Sequence, residues 1–294
     1  MTWAQVARKD FEDAVRSKML WGIIAVFAGF MSFIILVAVG TSDTSEATGD
    51  VALGLTASLS QLFVPIIALI AGYMAIVGER RSGSLRVLLG FPHSRRDVVL
   101  GKFVGRNAVI AVTIGVGSAV SILVAAIAIE MPALDNAAGL LGSLVLFGVS
   151  FAGLAVGISA GARTRGKAMA MAIGSLLVFM LVWDAGAAGL YALVTGSLPG
   201  LEVEAWYFLL KRLSPLEAFR VVAENFVEGP LGAFVQLGIE DIPNDATPEQ
   251  LKLENRVPGA LPFYLSDWFA GLTLAAWAVI PTVLGYLRFE RLDL

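Results

Sequence analysis

Few residues in this sequence are of the types that carry out catalysis. The 294-residue chain has no cysteine and a single histidine, which excludes thiolate metal sites, cysteine nucleophiles and histidine-rich ligand sets. Asp184 stands alone in an apolar stretch, and His93 lies in a distant basic segment. No GxxxxGK[ST] sequence occurs, so the usual phosphate-binding loop of ATP-hydrolysing proteins is missing. The sequence therefore predicts a protein that is not an enzyme and has no cofactor or metal of its own.

The segment 78–107 has the most distinctive pattern of residue types. It reads GERRSGSLRVLLGFPHSRRDVVLGKFVGRN and contains seven Lys or Arg residues against two acids. Leucines between 85 and 89 mark the apolar face of one short helix, which ends before Pro92. Ser94 and Asp97 form a capping box that begins a second helix. Two short helices at a tight turn predict a compact, basic knob that faces water or a soluble partner.

Long apolar runs are the elements that must position this segment. The chain is 57% apolar and 15% charged, a balance too apolar for a soluble globule. A run of about 20 apolar residues crosses the hydrocarbon layer as a helix, which satisfies its own backbone there. The sequence predicts an all-α membrane protein, a single domain over 1–294. Its six transmembrane helices are predicted at 19–40, 51–77, 108–129, 137–161, 168–194 and 268–287.

The distribution of Lys and Arg predicts the orientation of these spans. Four basic residues precede the first span, seven lie between the second and third, three between the fourth and fifth, and two follow the sixth. The short connections 41–50 and 130–136 contain none. Short basic connections stay on the cytoplasmic side of the membrane. Both termini are therefore predicted to be cytoplasmic, in a multi-pass protein of the cytoplasmic (plasma) membrane.

Two segments outside the spans have amphipathic patterns. In residues 1–18, apolar residues at three-to-four spacing oppose charged ones, which predicts an interfacial helix in the headgroup plane. A helix docked on protein is the alternative for this leader. The connection 195–265 is predicted to be a helical outer loop, in which Ser214 caps a helix that begins with Pro215. Small residues at four-residue spacing predict close helix crossings at Gly153 and Gly157 in the fourth span, at Gly115 in the third and at Gly174 in the fifth.

The segment 78–107 resembles the region between the second and third spans of ABC-2 type transporter permeases. The resemblance is carried by Glu79, Arg80, Gly83, Leu85, Leu88, Leu89, Pro92, Ser94 and Arg95, followed by Gly101 and Lys102. The six spans, the leader, the cytoplasmic termini and the long outer connection are also similar, so the resemblance covers essentially the whole chain. The nearest subgroup is similar to the permeases of nitrous-oxide-reductase maturation and bacitracin-resistance systems.

The resemblance implies a permease subunit that exports a substrate while a separate ATP-binding-cassette subunit hydrolyses ATP. The segment 78–107 would be the coupling segment that docks on that ATPase, through the residues from Glu79 to Arg95 that carry the resemblance. A second permease chain, identical or different, would complete the path across the lipid bilayer. Anchoring to anionic headgroups is the simpler alternative for the arginines. With a net charge of −3, no nucleic-acid partner is expected.

Asp184 is the acid that lies clearly inside a predicted span. A lone charge in hydrocarbon is costly, so its side chain must face a partner or water. It is placed about 24 Å above the cytoplasmic start of its helix, where it lines either a translocation path or an outer interface.

Two other function classes stay open. An ATP-independent carrier would show inverted repeats or broken helices, and an intramembrane enzyme would need a partner for Asp184.

Overall fold

The computed structural model describes residues 3–41, 48–82, 94–228, 231, 239–243 and 245–291. Within these residues all regular elements are helical, and six helical segments are long and apolar enough to cross a membrane. The prediction of an all-α chain with six such helices is confirmed. In chain order the α-helices are α1 Trp3–Val15, α2 Lys18–Thr41, α3 Gly49–Gly72, α4 Val77–Ser82, α5 Arg95–Ala128, α6 Leu134–Gly161, α7 Arg165–Leu177, α8 Trp183–Thr195, α9 Ala205–Arg212, α10 Pro215–Ala223, α11 Leu253–Arg256 and α12 Asp267–Glu290.

Local signals set where these helices begin and end. The Thr48 hydroxyl accepts the Val51 amide N–H at 3.2 Å and caps α3, and Thr164 caps α7 in the same way. Gly196 ends α8 with φ of 82°, in the left-handed region where glycine carries no steric penalty. A π-helical turn, Val178–Val182, joins α7 to α8 without breaking the path of the fifth span.

The bundle has two ends, which differ in their residues. We call one the basic end, where α1, α4, the start of α5 and the last turns of α6 and α12 meet. We call the other the hairpin end, where α9 and α10 form a helical hairpin between α8 and α12. Helix α6 runs between the two ends at the centre of the bundle. Of its most apolar part 72% of residues are buried, against 17% for the fifth span, Arg165–Thr195.

The backbones of α6 and α12 cross in direct contact. A Cβ atom added at Gly153 would overlap the carbonyl of Ala278, and one at Gly157 would overlap that of Pro281. The Thr282 hydroxyl donates to the Gly153 carbonyl at 3.0 Å across the same crossing. The predicted close packing of the fourth span is therefore present.

Two sequence predictions about packing and length differ from the structure. Gly115 and Gly174, also predicted at close crossings, have open space within 4 Å of an added Cβ. The helix predicted to begin after Ser94 as part of a short pair is the first turn of α5, which continues unbroken to Ala128. Gly101 and Gly105 lie inside this helix. Helix α1 packs over both of them and leaves no room for a side chain.

The crossing of α6 and α12 gives the first testable prediction. Substituting Gly157→Ala forces two backbones apart, and overpacking of this kind costs about 1–3 kcal/mol of stability. We expect a lower thermal unfolding midpoint for the detergent-purified variant, followed by circular dichroism. Gly115→Ala is the matched control in α5, because its added methyl group meets no atom within 4 Å. Equal midpoints for the two variants would contradict the packing described here.

Candidate functional site

The candidate site is the basic end, where α4 ends at Ser82 and α5 begins after Ser94. The predicted coupling residues Gly83, Leu85, Leu88, Leu89 and Pro92 lie outside the described residues. Glu79, Arg80, Ser94 and Arg95 are described and flank that segment on its two sides. The structure thus brings the two flanks to one end of the bundle, and their contacts show how each flank is held there.

The return flank begins with the capping box that the sequence predicts. The Ser94 hydroxyl accepts the Asp97 amide N–H at 3.1 Å, and the Ser94 amide N–H donates to the Asp97 carboxylate, also at 3.1 Å. Both free amide groups are satisfied by this reciprocal pair. The direction of α5 is therefore fixed from its first residue.

A buried ion network ties the first flank to α5 and α1. The Lys102 ammonium lies 2.6 Å from the Glu79 carboxylate and 2.7 Å from that of Asp10. The Arg106 guanidinium lies 3.0 Å from the other Asp10 oxygen. The side chains of Asp10 and Lys102 are only 2% and 8% exposed, so water screens their attraction little. Three segments distant in sequence, α1, α4 and α5, are joined at this point.

Close backbone contact accompanies the network. A Cβ at Gly101 would stand 2.5 Å from the Val6 Cβ, and one at Gly105 would stand 2.9 Å from the Ala7 carbonyl oxygen. Helix α1 is therefore docked on α5, which is the alternative interpretation of the leader. Its other face, which includes Arg8 and Lys9, is exposed, and a position of that face in the headgroup plane stays a prediction.

Asp10 is the residue of this network that sequence analysis missed. It lies within the apolar stripe of α1, four residues after Val6 and four before Ala14. An acid in such a stripe is a signal for a buried partner, because its charge has no route to water on that face. Lys102 and Arg106 have the complementary signal, two bases spaced four apart on one face of α5.

Two arginines tie the flanks to the ends of α6 and α12. Arg80 donates to the Ala162 carbonyl at 2.8 Å, and Arg95 donates to the carbonyls of Phe289 and Glu290 at 2.6 and 3.0 Å. Their guanidinium carbons lie 5.2 and 5.3 Å from the centre of the Phe289 ring. Arginine suits helix C-termini, whose last carbonyls lack partners and carry partial negative charge. Both flanks are thus fastened to the central helix pair.

Asp184 lies at the opposite end of the bundle, in the first turn of α8 after the π-helical turn. Its neighbour Trp183 donates its indole N–H to the Leu210 carbonyl at 3.0 Å, and Trp277 of α12 donates to the Leu213 carbonyl at 2.8 Å. Asp184 is half-buried and faces the charged hairpin that contains Lys211. The structure does not bring it near the basic end.

The hairpin packs against the core of the bundle. Its tip at Ser214 caps α10 as predicted, and the Phe219 ring stacks on Phe147 of α6 with centroids 4.3 Å apart. Phe147 follows the start of α6 by thirteen residues, which is about 20 Å along the helix axis. Helix α10 therefore reaches well below the hairpin end of α6.

An acidic residue holds the base of the hairpin. The Glu240 carboxylate contacts Lys211, Arg256 and the Tyr207 hydroxyl, each at 2.8 Å. Burial alone would raise the pKa of Glu240, but the charges of Lys211 and Arg256 outweigh it and lower the pKa to about 2. Glu240 is thus ionised at neutral pH, and it links α9 to the segment before α12.

Comparison with known proteins matches nearly the whole sequence to one family. Residues 4–294 match the model of a family described as ABC-2 family transporter protein. A probable ABC transporter permease protein NosY from Stutzerimonas stutzeri is 29% identical over 300 residues, which cover 97% of each chain. The protein of the same description from Pseudomonas aeruginosa is 32% identical over 250 residues, 82% of this chain and 88% of that protein.

The ion network at the basic end gives a second prediction. Asp10→Asn removes the charge that pairs with Lys102 and Arg106, and breaking a buried pair costs about 3–5 kcal/mol. We expect α1 to detach from α5, so that trypsin cleaves after Arg8, Lys9 and Arg16 at least about 10-fold faster. Glu12→Gln is the control, since it breaks only the exposed pair with Arg8. A cleavage rate equal to that of the control would show that the network does not hold α1.

The hairpin end gives a prediction about pH. Because the pKa of Glu240 is lower in the folded protein than its usual 4.5, its stabilisation is present above pH 4.5 and is lost as the pH falls toward 2. At pH 7, Glu240→Gln should weaken the protection of residues 199–212 from hydrogen exchange by at most about 3 kcal/mol. The difference from wild type should shrink as the pH approaches 2. Glu249→Gln, in an exposed pair with Lys252, should change nothing at either pH.

Proposed function

This chain belongs to the ABC-2 family of transporter proteins, and on that premise we propose that it is an export permease driven by ATP hydrolysis on a separate subunit. The observation that carries the proposal is that both flanks of the segment between Ser82 and Ser94 are bonded to the helices of the bundle. One flank is paired with Lys102 and Ala162, and the other is bonded to the end of α12. Force applied to that segment by a soluble partner therefore acts on α5, α6 and α12 together.

The ATPase contact that we propose is the segment predicted from the sequence. Gly83, Leu85, Leu88, Leu89 and Pro92 supply its centre, and Glu79, Arg80, Ser94 and Arg95 supply its base. The contacts of the four flanking residues support this division, because the permease itself already holds each of them.

We propose that the basic end lies in the cytoplasm and the hairpin end outside, in the cytoplasmic membrane. The charge asymmetry of the short connections supports this orientation, because it places both termini and the ATPase contact on the same side. Export is the direction that we propose. The hairpin α9–α10 covers the outer part of α6, α8 and α12, as suits the exit of a path rather than its entrance.

We further propose that Asp184 lies beside this exit. Its half-buried position under the charged hairpin supports the idea, since an acid at that depth needs polar neighbours or water. The π-helical turn just before it supplies a second indication, because such turns are frequent at functional sites.

A second permease chain is proposed to pack on the fifth span. That span is the least buried of the six within the described residues. Gly174, Gly186 and Gly189 leave open space on its surface, which allows a second backbone to approach closely. The proposed pair, identical or different, would enclose one path across the bilayer between its two bundles.

The proposal predicts a stable complex that depends on the coupling segment. The wild-type chain, extracted in detergent from its native host, is expected to retain an ATP-hydrolysing subunit in equal amounts. The double variant Leu88→Asp, Leu89→Asp should lose at least about 90% of it, because two charges replace the apolar centre of the contact. The ratio of the two subunits after size-exclusion chromatography measures the effect.

Leu251→Asp is the matched control for this experiment. Leu251 is an exposed leucine of the hairpin end, so its substitution leaves the proposed contact untouched. A folded wild-type chain that retains no ATPase would contradict the proposed function. Retention by the double variant would instead contradict the location of the contact.

A further inference from the structure

The segment that leads into α12 is both apolar and exposed. Residues 257–266 include no charged side chain, and positions 258–261 and 263 are exposed. Phe263 is 69% exposed, and Trp268, in the first turn of α12, is 62% exposed. Their rings stack with centroids 6.4 Å apart and 15° between the ring planes. An ordered aromatic pair that the protein leaves uncovered indicates a contact surface.

This pair continues into an apolar stripe along α12. Trp268 begins the stripe, on the side of α12 turned away from its crossing with α6. The other exposed apolar residues of the stripe are Leu272, Val279, Ile280, Val283, Leu284 and Leu287. From Trp268 to Leu287 the helix rises about 28 Å, close to the thickness of the hydrocarbon layer, about 30 Å. The aromatic pair therefore lies at one limit of that layer, on the side of the hairpin end.

The chemistry of the pair suits the headgroup layer. Tryptophan has a large apolar body and a polar N–H edge, and it is enriched where hydrocarbon meets water. Trp183 and Trp277 donate their indole N–H groups to backbone carbonyls, whereas that of Trp268 has no acceptor among the described residues. Phosphate and ester oxygens of lipid headgroups are acceptors for this group.

The pair is attached firmly to the hairpin. Phe263 opens a 3₁₀ turn, Phe263–Leu265, directly before α12. The carbonyl of Leu265 accepts a hydrogen bond from the Arg212 guanidinium at the end of α9. The Leu265 side chain is buried in a cluster with Tyr207 and Phe208 of the same helix. The depth of the aromatic pair in the bilayer therefore also sets the depth of α9.

We propose that Phe263 and Trp268 form an aromatic anchor that lies in the lipid headgroup layer on the side of the hairpin end and holds α9 at that level. The partner is the lipid headgroup, which the continuity with the apolar stripe of α12 favours over a second protein chain. No ATPase is needed for this contact.

The absence of cysteine allows single spin labels to report the depth of this segment. The labelled position is the exposed Leu261→Cys, two residues before Phe263 and so within about 7 Å of it. Leu251→Cys, between the exposed charges of Glu249 and Lys252, is the reference for water. Ile280→Cys, about 18 Å along α12 from Trp268, is the reference for hydrocarbon.

The labelled chains are reconstituted in vesicles of phosphatidylcholine and phosphatidylglycerol. Electron paramagnetic resonance then gives the ratio of the collision rate of each label with oxygen, which concentrates in hydrocarbon, to that with a water-soluble nickel complex. We expect the ratio at 261 to lie between the values at 251 and 280.

Replacing both aromatic residues tests whether they hold the segment at this depth. Phe263→Ser together with Trp268→Ser should lower the ratio at 261 to the value at 251, because the segment loses its contact with lipid. Trp3→Ser, which removes an exposed aromatic side chain at the basic end, is the control and should change nothing. The ratio at 280 should keep its hydrocarbon value in both variants, which shows that α12 still crosses the bilayer.

Three results would overturn the proposed anchor. The first is a wild-type ratio at 261 equal to that at 251, and the second is a label at 261 that neither reagent reaches, since protein would then cover it. The third is an unchanged ratio at 261 in the double variant while α12 stays inserted. The first two need no aromatic substitution, so they decide the matter even if the double variant does not fold. All three leave the proposed export function untouched, because the vesicles contain no ATPase.

Discussion

The direct contact between the backbones of α6 and α12 is the constraint on which the arrangement of the other helices depends. Gly153 and Gly157 bring two helix axes closer than any side chain would permit, and Thr282 bonds across the gap. The remaining faces of α6 are then free for α3, α5 and α10, which explains why α6 is the most buried of the spans described. Because the glycine crossing cannot be opened slightly without losing its contacts, α6 and α12 are expected to move as one body.

The two ends of this body handle charge in different ways. At the basic end, Lys102 bridges two carboxylates from segments that are remote in the chain, and this bridge selects one register of α1 on α5. At the hairpin end, Glu240 accepts hydrogen bonds from three donors around the base of α9, which lie 16 to 33 positions away in the chain. Indole N–H groups of Trp183 and Trp277 then hold the hairpin to the bundle through carbonyl oxygens. In this protein, ion pairs join segments that are distant in the chain, and uncharged hydrogen bonds from indole groups hold the amphipathic hairpin against the bundle.

Sequence reasoning recovered the features that depend on residues close together in the chain. The six apolar helices, the Ser94 capping box and the Ser214 cap each follow from a pattern within a few residues. The interruption between α3 and α4, at 73–76, could not be predicted, because Tyr73, Met74, Ala75 and Ile76 contain no proline or glycine and continue an apolar run. It exists because Ser159, 83 residues away from Ile76, satisfies the amide groups that the break exposes. The roles of Asp10 and Ser159 both depend on contacts across the fold, which spacing alone does not reveal.

The pairing of Asp10 with Lys102 also orders events during synthesis. The two residues are 92 positions apart, and a ribosome adding roughly 5–20 residues per second needs about 5–20 s to make that stretch. By the end of this interval the first two spans have been made, while the Asp10 carboxylate still lacks its partners. Helix α1 can dock in its final position only after the start of the third span has been made, because that span supplies Lys102 and Arg106. Docking of α1 thus becomes possible while three of the six candidate spans are still to be made.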